Sequence, residues 1–116
     1  NVDLAATILD FAGLKPDFEM HGMSLVPYVE NGSSPGKREE LMIEHLWDFE
    51  PIPSSEGIRT EQWKYLRYRD ITAPEELYDL KADPQELNNL AADAAYKNIL
   101  LTMRDKLDQK IALYSK

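Results

Sequence analysis

The stripe near the C-terminal end of the chain constrains the fold most. Tyr96, Leu100, Met103, Leu107, Ile111 and Tyr114 recur at three- and four-residue steps, which puts all of them on one face of a single helix of about five turns. An apolar helix face has to be buried on something. A coiled coil is one solution, but about three heptads is short for that. Packing on a sheet is the expected one.

The sheet is legible upstream. From Leu41 the period is two: Leu41, Ile43, His45 and Trp47 fall on one face, and Met42, Glu44 and Leu46 on the other. Both faces are partly apolar, as in a sheet covered on one side and half-covered on the other. Asp48 to Ser55, with Pro51 and Pro53, is expected to be a loop. Ile58 to Thr60 and Trp63 to Arg69 read as two strands of a hairpin, although the Glu61-Gln62 turn lacks the favoured Asn-Gly or Asp-Gly pair. Leu77 to Leu80 gives a fourth short strand, Asp83-Pro84 a turn, and Leu87 to Ala91 irregular chain packing back. The fold class expected is α+β: a small four-stranded antiparallel sheet packed against the long terminal helix.

A different element opens the chain. Asp3 is a candidate N-cap for a helix over Leu4 to Ala12, with Gly13 as its stop. The segment is apolar almost all round, and such a helix wants burial on more than one side. A chain of 116 residues is short of material for both sides, so a removed partner domain is inferred, and with it self-association of the exposed helix. Lys15 to Gly22 reads as loop, Ser24 as cap of a short helix through Tyr28, and Asn31 to Lys37 as a turn-rich surface loop.

Composition excludes some functions. The net charge of −8, without a long basic run, argues against nucleic-acid binding. No apolar stretch approaches the roughly 20 residues that span a bilayer, so a soluble chain is expected. With no cysteine, disulfides, thiolate ligands and a cysteine nucleophile are excluded within this piece. The chain begins at Asn1 without the basic region and cleavage site of a signal peptide. That start is read as a cut, which leaves targeting information missing.

Three runs resemble the C-terminal pattern of type I sulfatases in the alkaline phosphatase superfamily. VDLAATILDFAGL (Val2 to Leu14) followed by MHGMSLVPYVENG (Met20 to Gly32) is similar to the family's "DLAPTLLDLAG … GxSLLPLLxG". EGIRTEQWKYLRY (Glu56 to Tyr68) is similar to its "RTxxWKYI" hairpin, and ELYDLKADPQELNNLA (Glu76 to Ala91) to "ELYDLxxDPxExxNLA". Order and spacing agree across most of the chain. Ala6 departs from the family's proline, at a first-turn position where no backbone donor is needed and either residue is accepted.

The resemblance implies a C-terminal subdomain over residues 33–116, with 1–32 closing the parent's main domain. It implies a hydrolase of sulfate esters or sulfamates, acting on sulfated carbohydrate and set in the periplasm or secreted. Calcium and a formylglycine, made from Cys or Ser in C/S-x-P-x-R, would sit in the missing N-terminal domain. No such run and no carboxylate cage can be placed in this sequence, so the piece alone is expected to be inactive. The same scaffold serves phosphoryl and phosphonate monoester hydrolases, and a free-standing interaction module is the rival from another class.

Within that reading the substrate-contact candidates are Glu44, His45 and Trp47, in a strand end that the family places at the pocket rim, and Arg59. His45 has a donor for a sugar hydroxyl or anionic group, and Trp47 a ring to stack on a sugar face. The plain alternative makes His45 a satisfied, half-buried strand residue. Arg59 has the fork that matches sulfate, but pairing with Glu44 or Glu56 across the sheet is the preferred reading. His21 is expected to be a loop residue, since two distant histidines make no metal motif. Lys64, Arg67 and Arg69, interleaved with Tyr65 and Tyr68, read as the solvated face and edge of the hairpin. Trp63 is expected in the core against the terminal helix, and Asp79, Asp83 and Asn89 as turn-holders.

Overall fold

A computed structural model describes residues 2–32, 36, 38–47, 52–69 and 72–115. The chain divides into two compact units, Asn1–Arg38 and Glu39–Lys116.

The first unit holds α1 (Val2–Phe11) and α2 (Val26–Asn31). Asp3, Thr7 and Asp10 share one stripe of α1 because they stand at i, i+4 and i+7. That stripe binds the segment ahead of α2. Met23 N donates to Asp3 Oδ1 at 2.8 Å, Leu25 N to Thr7 Oγ1 at 3.0 Å, and Ser24 Oγ to Asp10 Oδ2 at 2.5 Å. The Arg38 guanidinium clamps the Asp3 carboxylate through both oxygens, at 2.8 and 2.6 Å. Asp3 therefore lies in the first turn as the anchor of this clasp, and the N-cap role expected of it is corrected. The reason is that a tertiary donor set of one amide and one guanidinium outweighs a local cap. Ser24 Oγ accepts from Val26 N at 3.1 Å, a turn just before α2, whose N-cap Leu25 has no side-chain cap bond.

Gly13 closes α1 as expected, in the left-handed region at φ 68. Gly13 N bonds Asp10 O and Leu14 N bonds Leu9 O, each at 2.9 Å, the paired bonds of a Schellman stop. No residue of α1 is buried: Leu4, Ile8 and Phe11 are 56%, 67% and 58% exposed. The loop expected over 31–37 falls partly outside the described residues. Asn31 ends α2, and Gly32 caps it at φ 68.

The second unit holds β1 (Leu41–His45), β2 (Ser55–Arg59), β3 (Trp63–Tyr68), β4 (Glu76–Asp79), a 3-10 turn Ala94–Tyr96 and α3 (Lys97–Tyr114). The strands form one antiparallel sheet in sequence order. Register explains the core. Met42, Ile58, Tyr65 and Leu77 lie directly opposite one another across the strands, and residues paired in this way share a face. Leu100, Met103 and Leu107 of α3 close on that row. Ile58, Tyr65, Leu77 and Leu107 are fully buried, each contributing about 1.5–3 kcal/mol of apolar burial. Trp63 packs on the same cluster and meets Tyr96 edge-on, with ring centroids 6.0 Å apart.

The strands differ from expectation at their ends. β2 begins at Ser55, three positions before the apolar run that marks it, because Ser55-Glu56-Gly57 is held by neighbours on both sides. Its polar residues carry no strand signal of their own, and pairing overrides propensity. β1 stops at His45, short of Trp47; residues 48–51 of the expected loop lie outside the described residues. Asp79, Asp83 and Asn89 do hold turns. Asp79 accepts from Lys81 N and Ala82 N, and Asp83 from Asn88 N. Asn89 Oδ1 accepts from Leu77 N and Ala91 N, and its Nδ2 donates to Glu75 O. With Leu90 N on Leu77 O at 2.8 Å, this stitches the loop onto the outer edge of β4 and so blocks edge pairing.

Candidate functional site

Strand alternation separates the candidates. Glu44 pairs with Glu56, which pairs with Arg67, and Arg67 Nη1 reaches Asp108 of α3 at 2.8 Å. Glu44 therefore belongs to the helix-covered side of the sheet. His45 is one residue on and faces the other side, opposite Ser55 and Tyr68. Glu44 and His45 cannot line one surface.

Trp47 follows the strand end with 73% of its surface exposed. An indole that leaves so much apolar area in water is a ready stacking plane. Arg59 is on the face of His45 but at the far end of the ladder. The ladder runs from Leu41–Arg59 to His45–Ser55, four steps of about 3.3 Å, or roughly 13 Å. The structure thus brings His45 and Trp47 to one sheet end and leaves Glu44 and Arg59 apart from them.

His45 is half-buried, yet its Nε2 is buried without a hydrogen-bond partner among the described residues. The satisfied strand histidine of the plain reading is corrected on that point. An unmet buried donor or acceptor costs about 1–3 kcal/mol.

The ion pair expected for Arg59 is also corrected. Glu56 is taken by Arg67 at 3.1 Å and Arg69 at 3.7 Å, and Arg59 has the opposite strand parity. β3 is a central strand, so Lys64 and Arg67 do not form a solvated edge: Lys64 pairs with Glu86, and Arg67 with Glu56 and Asp108.

Two polar networks had no sequence signal beyond isolated charges. Tyr65 Oη donates to Glu75 Oε1 at 2.5 Å, and the Arg104 guanidinium grips both oxygens of Glu75. Burial first, and the Glu75 carboxylate second, push the Tyr65 phenol up to about 12, while the Arg104 bond holds Glu75 below the usual carboxylate range. On the other face Glu76 accepts from Tyr68 Oη at 2.5 Å and Tyr78 Oη at 3.0 Å. Both phenols rise to about 12, Tyr68 first by that hydrogen bond and Tyr78 first by burial. Because every carboxylate in these networks is engaged by a phenol or a guanidinium, they hold the fold together, with no free general base.

Among the described residues no three of His, Asp and Glu come together in a way that could hold a metal ion. The chain also has no cysteine. Among the described residues there is therefore no carboxylate set suited to the calcium that the resemblance implies.

The fold first defines a class, an α+β subdomain in which an up-and-down sheet is covered on one face by one long helix. The chain belongs to the N-sulphoglucosamine sulphohydrolase C-terminal family, whose model matches residues 1–112, and it is thereby a sulfatase C-terminal subdomain of the alkaline phosphatase superfamily. It is 36% identical over 100 residues to an N-acetylglucosamine-6-O-sulfatase of Bacteroides thetaiotaomicron, covering 83% of this chain and 18% of that protein. It superposes on a 2-O GAG sulfatase with a TM-score of 0.81 at 33% identity, over 95% of this chain and 24% of that one. It superposes as well on the phosphonate monoester hydrolase of Agrobacterium radiobacter, with a TM-score of 0.78 at 32% identity, over 96% and 24%. The chain spans about a fifth of the length of the curated relatives it matches.

Proposed function

We propose that this chain is the C-terminal portion of an enzyme that hydrolyses sulfate esters or sulfamates of carbohydrates. The observation that carries the reading is the family match over residues 1–112, joined to a relative that acts on N-acetylglucosamine 6-O-sulfate. In this reading the 1–32 segment completes the main domain and 33–116 is the C-terminal subdomain. The main domain brings the nucleophile and the calcium, in a periplasmic or secreted setting, and the isolated chain is inactive. It self-associates through the apolar stripe of α1 unless the main domain covers it.

The part assigned to this chain is substrate choice. Of the four candidates, His45 and Trp47 share one end of the sheet and contribute together, Trp47 as a stacking plane and His45 as the polar group that orients the sugar. Glu44, on the other face, and Arg59, at the far end of the ladder, act apart from them.

A phosphonate monoester hydrolase is the second reading, favoured by the likeness to the Agrobacterium enzyme. Purified full-length protein decides between them. Sulfate released from 6-O-sulfated N-acetylglucosamine, at higher kcat/KM than phenyl phosphonate turnover, is the expected result, and the reverse order overturns it. Trp47→Ala is expected to lower kcat/KM on the sulfated sugar at least tenfold and to leave hydrolysis of a small aryl sulfate unchanged.

A further inference from the structure

A pocket of about 310 Å³ opens in the second unit at the β2–β3 turn, walled by Trp63 and by Asn98, Ile99, Thr102, Met103 and Lys106 of α3. It lies at the opposite end of the β1–β2 ladder from His45, since Thr60, which also lines it, follows Arg59 directly. The volume is at the small end of the range for ligand sites, which fits about one sugar ring.

Its chemistry is mixed in a particular way. Ile99, Met103 and the Trp63 indole give an apolar floor and wall. The Trp63 indole N–H and the Asn98 side-chain amide have no hydrogen-bond partner among the described residues. Lys106, on the pocket wall, pairs with Glu40, which Lys110 also approaches at 3.5 Å. Because Lys110 shares the Glu40 carboxylate, Lys106 is not the only cation neutralising it, on a chain whose net charge is −8. An aromatic wall, free planar donors and a local cation select a sugar ring carrying an anionic substituent.

We propose that this pocket is a second carbohydrate site, distinct from the His45–Trp47 end, that takes one sulfated sugar unit. The ring lies against Trp63 and Met103, its hydroxyls meet the indole N–H and the Asn98 amide, and the sulfate approaches Lys106. In a sulfated-glycan hydrolase such a site holds the polymer away from the reacting bond. The choice of sulfated ligand rests on the function proposed above, while the site itself rests on the pocket's own groups.

The test is a titration of the ¹⁵N-labelled chain with glucosamine 6-sulfate and, separately, with N-acetylglucosamine, read on the two indole N–H signals. Saturable movement of the Trp63 signal with a millimolar Kd is expected, with the Trp47 signal moving less. Asn98→Ala, at an exposed position, should weaken binding about two- to tenfold. Lys106→Met should remove most of the preference for the sulfated sugar, about two- to fivefold. Absence of any Trp63 shift at tens of millimolar, or equal affinity in both variants, overturns the proposal. So would a Trp63 shift induced only by an apolar probe such as toluene, which would mark the pocket as a seat for a protein side chain. Binding here without sulfate release by the full-length protein would keep the site and discard the hydrolase reading; release without binding would do the converse.

Discussion

Replacing Gly57 by alanine tests whether close strand approach, and not turn geometry, requires glycine in the middle of β2. Gly57 is buried between Ile43 and Leu66 in the register. A Cβ built there would come within 2.6 Å of the Tyr65 carbonyl oxygen, and would also strike the Leu66 side chain. Leu66 can change rotamer, at about 0.5–1.5 kcal/mol. The Tyr65 carbonyl cannot yield so readily, because its side chain is wholly buried and tied to Glu75. Restoring an ordinary contact of about 3.5 Å moves one backbone by roughly 0.9 Å. That shift weakens one or two ladder hydrogen bonds worth about 1 kcal/mol each. Alanine regains about 0.5–1 kcal/mol of backbone entropy relative to glycine. The balance is a loss of about 0.5–3 kcal/mol, which lowers Tm by roughly 2–20 °C for a unit of this size. Urea unfolding followed by circular dichroism measures it, with the m-value as a check on the unfolded state. In a Leu66→Ala background the penalty should fall but persist, since the carbonyl contact remains. A neutral or stabilising Gly57→Ala would refute the reasoning.

Other expectations follow from the hydrogen-bond geometry. Gly22→Ala puts a Cβ onto the Val2 carbonyl, 2.8 Å from its carbon and 3.1 Å from Asp3 Cα; hydrogen exchange at the Met23 and Leu25 amides should accelerate at least tenfold, and unchanged protection would count against the clasp on α1. Glu40 and Glu75 are held below the ordinary value of 4.5, first by Lys106 and by Arg104 respectively, so their stabilisation is present above pH 4.5 and lost as pH falls through the depressed folded values. At the other extreme Tyr65, Tyr68 and Tyr78 rise from 10.0 to about 12, so their contribution is intact below pH 10 and lost between 10 and 12; tyrosinate absorbance appearing in the folded chain near pH 10 for all of them would contradict this. Ile8→Glu should disperse self-association of the isolated chain in sedimentation velocity, and a wild-type monomer at high concentration would remove the exposed stripe as its cause.

The elements with a strong period were readable from sequence, and those set by pairing were not. The terminal stripe located α3 because burial selects Leu100, Met103 and Leu107 directly. The strands over Ile58 to Thr60, Trp63 to Arg69 and Leu77 to Leu80 were likewise readable, but the row Ile58–Tyr65–Leu77 across them is set by register. Ser55 and Glu56 were missed as strand because only two-sided pairing holds them extended. For the site, alternation alone already assigned Glu44 and His45 to opposite faces, but the registers that put Arg59 at the far end from His45 depend on a turn length that sequence does not give. The partner of Glu56 was misassigned for the same reason. Asp3 shows a different limit: its donors are about twenty and thirty-five positions away along the chain, beyond the reach of any local motif.

The sheet order β1-β2-β3-β4 bears on how the chain acquires its structure. Each strand bonds only to its neighbour along the polypeptide, so no ladder waits for a distant segment, and closing short loops costs little entropy. Hairpins can zip in succession as residues emerge during synthesis, with the helix arriving last to seal the row of side chains beneath it. Pairing in sequence order favours autonomous assembly of the sheet in the unit Glu39–Lys116.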